Sequence, residues 1–290
     1  MTSEITRLES LGWQAAPRES DGVRYLRRDG AGVSYPRDVL DRLAADGGQG
    51  FWLEARAKAV GQLCRDARVL SLWDIGAGSG AMAKRLEPYG VDVVSIEPLP
   101  EGARGIARMG AEVFCGTLED LALPSGSIPA VGLFDVVEHL PEPAPLLSEV
   151  ARVLSSEGLL FVTVPAYQWL WSAEDQALGH CRRYSVPSLR ATLEGAGFSV
   201  IMSRHLFASL VPAAALIRAL PYRLGIQRAK PEAILTRNAS RLEPSAFANH
   251  LAERVLAAEA RLARAFPLPF WPFDYRCGTG MKCALRDSAK

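Results

Sequence analysis

The chain has 290 residues, 49% hydrophobic and 22% charged, which fits one large globular domain or two small ones. A formal net charge of +1 and the lack of a long basic run exclude an electrostatic nucleic-acid footprint. Cys64, Cys115, Cys181, Cys277 and Cys283 are scattered without a Cys-x-x-Cys pair, so no disulfide framework or metal is expected. No apolar leader and no bilayer-length run are seen, and a cytoplasmic location is expected.

In chain order, Val23-Arg-Tyr-Leu, Asp29-Gly and Val33-Ser-Tyr suggest a small β-hairpin, and 38–43 one helical turn. Residues 51–60 predict a helix with Phe51, Ala55, Ala59 and Leu63 on one face. Residues 69–75 form an apolar run, as in a buried parallel strand. It contains Asp74 and leads into Gly76, Gly78 and Gly80, a turn that lets a ligand approach the backbone. A helix over 81–86 stops at Pro88 and Gly90, and a second strand over 91–96 closes on Glu97. An acid at that tip can accept both hydroxyls of a ribose.

Further strands are predicted at 111–115, 130–135, 159–164, 198–203 and 279–285. Pro129 stands at the start of the fourth, where no ladder donor is needed. Helices are predicted at 145–154, stopped by 155–158, and at 188–194. Strands alternating with helices imply an α/β fold with a parallel sheet covered on both faces.

A dinucleotide fingerprint is Gly-x-Gly-x-x-Gly with a pyrophosphate at the helix N-terminus. Here the third glycine comes one residue early, and Asp74 would repel a pyrophosphate but suits an ammonium group. Asp74-Ile-Gly-Ala-Gly-Ser-Gly80 resembles the first motif of class I S-adenosylmethionine-dependent methyltransferases, and Glu97 matches their ribose acid. Val136-Val-Glu-His-Leu140 resembles the family's Asp-Val-Leu-Glu-His-Leu segment. Phe51-Trp52-x-x-x-Arg56, and the loop holding Trp171-Ser172, Gly179-His180 and Arg182-Arg183-Tyr184, resemble features of one bacterial small-molecule subgroup.

That resemblance implies a Rossmann-like seven-stranded sheet and S-adenosylmethionine as cofactor. Asp74, Gly76, Ala77, Gly78 and Gly80 would hold the donor's amino-acid end, and Glu97 its ribose. Leu118 and Glu119 lie in the adenine loop, where Asp120 qualifies equally, and Asp135 ends the fourth strand. His139 beside the donor would touch substrate or cap the next loop.

The loop after the fifth strand is rich in aromatic residues, and exposed together they would form an adhesive patch. Tyr167, Trp171, Arg183 and Tyr184 are therefore expected to line an acceptor pocket. His180 and Asp175 have two readings: a general base with its orienting acid, or a network that pins the loop. The insertion at 206–278 reads as a helical cap, with helical spacing from Phe247 to Phe266. Its segment 206–217 is apolar on nearly every side, and Pro212 would break a helix or open a new one. Burial of that segment under the cap is the first expectation; an apolar acceptor pocket or a peripheral membrane contact is the second.

The expected organisation is thus an extension with a hairpin at 1–50, a cofactor-binding core at 51–205, a cap at 206–278, and a last strand and tail at 279–290. The expected activity is methyl transfer to an oxygen or nitrogen of a small, lipid-like or natural-product acceptor. No Asp-Pro-Pro-Tyr-like motif follows the fourth strand, which argues against a DNA amino-methyltransferase. The alternatives are a nicotinamide-dependent oxidoreductase and a non-catalytic cofactor-binding module of the same fold.

Overall fold

Short apolar runs, buried along most of their length, build the centre of one sheet. They are β2 (Ser71–Ile75), β3 (Asp92–Glu97), β4 (Glu112–Cys115), β5 (Ile128–Phe134) and β6 (Leu154–Thr163). The computed structural model describes residues 4–27, 51–226, 254 and 281–286. It adds β1 (Arg24–Tyr25), β7 (Phe198–Arg204) and β8 (Met281–Arg286). The strand order is β1-β4-β3-β2-β5-β6-β8-β7. Pairings from β1 to β6 are parallel, whereas β8 runs antiparallel to both β6 and β7.

All seven expected strands are therefore present. The eighth, β1, comes from the expected hairpin and pairs in parallel with β4, Arg24 opposite Phe114. The hairpin's second arm, at 33–35, and the turn at 38–43 lie outside the described residues.

Side chains alternate across a strand, so neighbours on β2 serve opposite cores. Leu72 packs with α2 (Phe51–Asp66) and α3 (Ala81–Leu86), through Val60, Leu63, Met82 and Leu86. Trp73 faces the other side, toward α1 (Glu4–Ser10), α5 (Ala144–Val153) and α7 (Val186–Gly195). A smaller cluster joins α4 (Pro100–Arg108) to β4 through Ala103, Ile106 and Val113.

Trp73 stacks on Phe114 with ring centroids 6.2 Å apart, and Trp13 meets both rings edge-on. The Trp13 indole N–H donates to the Leu121 carbonyl at 2.8 Å, which locks the N-terminal segment onto this face.

The chain passes from α5 straight into β6. Residues 155–158, expected as the helix stop, are extended and belong to that strand. The register of β5 against β6 shifts between the Ile128–Leu154 and Ala130–Leu159 pairs, and the extra residues lie on β6, at 155–158.

After β7 the chain enters a helical stretch: α8 (Val211–Ala214), a π-helical segment (Ala215–Ala219) and α9 (Leu220–Arg223). Pro212 sits in the first turn of α8, the second of its two expected placements. Pro221 has no N–H for the Ile217 carbonyl, which accounts for the widened turn before it. Burial, the first expectation for this segment, does not hold for Leu216 and Ile217, each 66% exposed. The cap expected over 227–278, including the helix from Phe247 to Phe266, lies outside the described residues apart from Arg254. Among the described residues no helix is long and apolar enough to cross a membrane.

Trp73 fills the centre of the larger core, fully buried against two aromatic rings. Trp73→Ala should lower unfolding free energy by about 3–5 kcal/mol. Chemical denaturation checks this, and a loss under about 1 kcal/mol would contradict the packing.

Candidate active site

The chain winds one way through β2, β3 and β4, then returns through β5 and β6, so the sheet reverses between β2 and β5. Crevices at such a switch point, outside the strands' carboxyl ends, are where open α/β sheets bind ligands. Asp74, Glu97 and Asp135 all lie at or just beyond the carboxyl ends of β2, β3 and β5.

The glycine turn from β2 to α3 takes left-handed backbone at Gly76, Gly78 and Gly80, with φ of 71°, 58° and 73°. At Gly76 a side chain would also meet Val136 at 2.9 Å, so the turn presses directly on the segment after β5. The Gly76 and Ala77 N–H groups donate to the Ile96 carbonyl and hold the turn against β3.

Asp74 is 1% exposed, and its Oδ1 has no hydrogen-bond partner. Burial pushes its pKa up to about 7, with Arg56 pulling the other way. Glu97 accepts the Gly78 N–H at 2.7 Å and the Leu99 N–H at 2.8 Å. Each carboxylate oxygen retains a second lone pair, so the acid ties the glycine turn to β3 and keeps acceptor capacity. Burial pushes Glu97 up to about 7, and those two N–H groups oppose it. Gly102 lets α4 close over this acid, since a Cβ there would stand 2.8 Å from the Glu97 side chain.

In the loop expected to hold adenine, Leu118 is a core side chain, so only its backbone is on offer. Asp120 accepts the Thr117 N–H and hydroxyl within its own turn, at 2.9 and 3.0 Å. Glu119 is exposed in that turn.

Asp135 has φ 58°, in the left-handed region that Asp enters more readily than most side chains. Its carboxylate pairs with Arg56 and accepts the Thr163 hydroxyl at 3.1 Å. Arg56 is the site residue that sequence reasoning passed over. The Phe51-Trp52-x-x-x-Arg56 pattern marked the helix, but only folding brings its arginine to the tips of β5 and β6.

Just past Asp135, Glu138 is wholly buried with neither oxygen hydrogen-bonded to another residue. Burial raises its pKa well above the carboxylate range, and Asp135 adds to that. His139 is pushed down to about 4 by burial and by His180. The two imidazoles lie edge-on with centroids 4.7 Å apart.

The loop after β6 is held by Asp175, which is 1% exposed. Its carboxylate accepts the Ser172 N–H and hydroxyl, His180 Nδ1–H at 2.9 Å, and both Arg183 Nε–H and Nη2–H. The His180 bond holds its pKa down to about 2 together with Arg183, against the upward push of burial. Asp175 therefore caps α6 (Ala173–Ala177) and pins the loop while it orients His180.

The expected acceptor-lining group divides. Arg183 is committed to Asp175. Tyr184 is 4% exposed and sits in the main core. Trp171 is half-buried. Tyr167 stacks on His205 at 5.0 Å, next to Trp169, which is 46% exposed.

A doubly wound sheet with a ligand-admitting turn and acids at its switch point defines a Rossmann-like nucleotide-binding fold. A family described as "Methyltransferase domain" matches residues 35–203, more than half of the chain, and the chain belongs to that family. An uncharacterized methyltransferase of Mycobacterium tuberculosis is 35% identical over 111 residues, 38% of this chain and 42% of its own. A second protein of that organism, named "Probable S-adenosylmethionine-dependent methyltransferase", is 27% identical over 164 residues, 55% of this chain and 60% of its own. A ubiquinone biosynthesis O-methyltransferase of Xanthomonas oryzae pv. oryzae is 29% identical over 142 residues, 47% of this chain and 54% of its own. The chain thus spans about half the length of the curated relatives it matches.

Asp74 generates a test of the electrostatics. The folded chain keeps a proton on Asp74 up to about pH 7, whereas the unfolded chain releases it near 3.8. Stability from this group is therefore lost as pH rises from about 4 to about 7. Asp74→Asn should remove that loss, so its thermal midpoint should gain on wild type across this window. Parallel midpoints for the two chains would contradict the buried-acid assignment.

Proposed function

We propose that the chain transfers the methyl group of S-adenosylmethionine to an oxygen or nitrogen of a small-molecule acceptor. The observation that carries this is Asp74: a buried carboxyl with an unpartnered oxygen, beside a left-handed glycine turn tied to Glu97. An ammonium group supplies what that oxygen lacks, and a pyrophosphate would be repelled by it, which disfavours the nicotinamide alternative.

When bound, the donor supplies a methyl group already activated on its sulfonium sulfur. The glycine turn and Asp74 seat its amino-acid end, and Glu97 receives the ribose hydroxyls through its remaining lone pairs. Residues 116–120 stand where the adenine would lie. Asp135 and Arg56 keep the floor of the site rigid and charged. The chain's remaining task is to align the acceptor and exclude water.

His139 and His180 mark the acceptor side. His180 is oriented through Nδ1 by Asp175, which leaves its Nε2 for the acceptor side, to take the acceptor's proton directly or to act through a bound ion. The named O-methyltransferase relative supports an oxygen acceptor. Leu216, Ile217, Leu220 and Leu224 are exposed along one helical stretch, which supports an amphipathic acceptor or contact with a lipid surface.

Calorimetric titration with S-adenosylmethionine and with a nicotinamide dinucleotide tests the donor. Glu97→Ala should weaken S-adenosylmethionine binding by about 1.5–3 kcal/mol. Unchanged affinity, or tighter binding of the dinucleotide, would overturn the reading. His180→Ala should cut turnover by about 100-fold while donor affinity holds. Loss of thermal stability and donor binding together would assign His180 to the loop alone.

A further inference from the structure

We infer that Glu138, His139 and His180 bind one divalent transition-metal ion of the Zn2+ type. The location on the acceptor side rests on the proposed methyl transfer; the site itself does not.

The three residues bring one carboxylate oxygen and two imidazole nitrogens within 4.8 Å of one another. Two nitrogens and one oxygen suit Zn2+, Co2+ or Fe2+, whereas Mg2+ and Ca2+ favour all-oxygen sets. Bond lengths of about 2.1 Å place tetrahedral ligands about 3.4 Å apart, so the side chains need to close by little more than an ångström. Three protein ligands also leave a coordination position open, as in catalytic rather than structural sites.

A second observation is independent of this spacing. Glu138 is wholly inside the protein, yet neither of its carboxyl oxygens has a hydrogen-bond partner on any other residue; only its own backbone N–H is near. Native structures rarely leave such a group unsatisfied, and a bound ion is one of the standard ways to satisfy it.

Both histidines also carry the outer contacts that metal ligands require. His180 gives its Nδ1–H to Asp175 at 2.9 Å, and the His139 ring hydrogen-bonds the backbone at Gly179. A carboxylate or carbonyl behind the ring fixes the tautomer and aims the opposite nitrogen.

The backbone holds the set together across 42 residues. The Cys181 N–H donates to the Glu138 carbonyl at 2.7 Å. Arg182 donates to the Leu140 and Pro141 carbonyls, and Arg183 grips Asp175. The loop is thereby fastened to the turn after β5 with His180 beside His139, before any ion arrives.

In this place the ion would act as a Lewis acid on an acceptor hydroxyl. It lowers the hydroxyl's pKa, the O–H bond gives its proton to solvent water, and the oxygen is left as the nucleophile. The oxygen–methyl bond then forms as the sulfur–methyl bond breaks, with the sulfonium leaving as a neutral thioether. The ion is not consumed. His180 serves here as a ligand, so the histidine pair works through the metal.

The test uses the full chain, stripped with chelator and titrated with Zn2+ and Co2+ alone. One ion per chain should bind, and Co2+ should give the visible bands of a four- or five-coordinate site. Glu138→Gln and His180→Ala should each weaken binding by about 100-fold, and Asp175→Asn by about 10- to 100-fold. X-ray absorption of the Zn2+-loaded wild-type chain needs no variant and should show imidazole scattering. No binding, a sulfur shell near about 2.3 Å, or affinity untouched by Glu138→Gln and His180→Ala would overturn the site. Titrating the same stripped sample with S-adenosylmethionine reports separately on the methyl-transfer reading.

Discussion

One buried guanidinium sets the electrostatics of this crevice. Arg56 pairs directly with Asp135 and acts through space on Asp74 and Glu138, both fully enclosed. Burial is what disfavours charge on Asp74 and Glu138, and Arg56 only partly offsets it. Asp74 and Glu138 respond by holding their protons beyond the usual carboxylate range. The crevice is short of positive charge, and a ligand ammonium at Asp74 or an ion at Glu138 would make up the difference. Removing Arg56 would strand these acids, which ties a helix outside the sheet to the chemistry at its edge.

The rest of the site is arranged to keep that crevice stiff. Glu97 spends its two backbone bonds joining the glycine turn to the end of β3. Asp175 gathers the aromatic loop around five donors and aims one imidazole at another. Under the proposed methyl transfer, alignment matters more than chemical activation, so rigidity here would bear directly on rate.

The glycine turn and the acid after it were legible in the sequence because these parts are close together in it. Residues 69–97 carry strand, turn, helix, strand and acid in one run, and local rules suffice to read them. Asp135 and His139 were legible for the same reason. Arg56 was not, because its partner Asp135 is 79 residues away and a helix pattern does not say what its arginine will meet. The closeness of Glu138 to His180 was not legible either, since the two come together only through the bonds around Cys181. Arg183 and Tyr184 have the composition of a binding loop, yet one is spent on Asp175 and the other on the core. Leu216 and Ile217 show the opposite failure. Apolar character did not bury them among the described residues, and the segment expected to cover them lies outside those residues apart from Arg254.

The most direct measurement is a crystal structure of the chain with S-adenosylhomocysteine, the donor without its methyl group. The expected result is a ligand across the switch point, with its amino group at Asp74, its ribose hydroxyls on Glu97 and its sulfur turned toward the His139–His180 pair. A ligand bound elsewhere, or a ribose that does not touch Glu97, would contradict the placement of the donor.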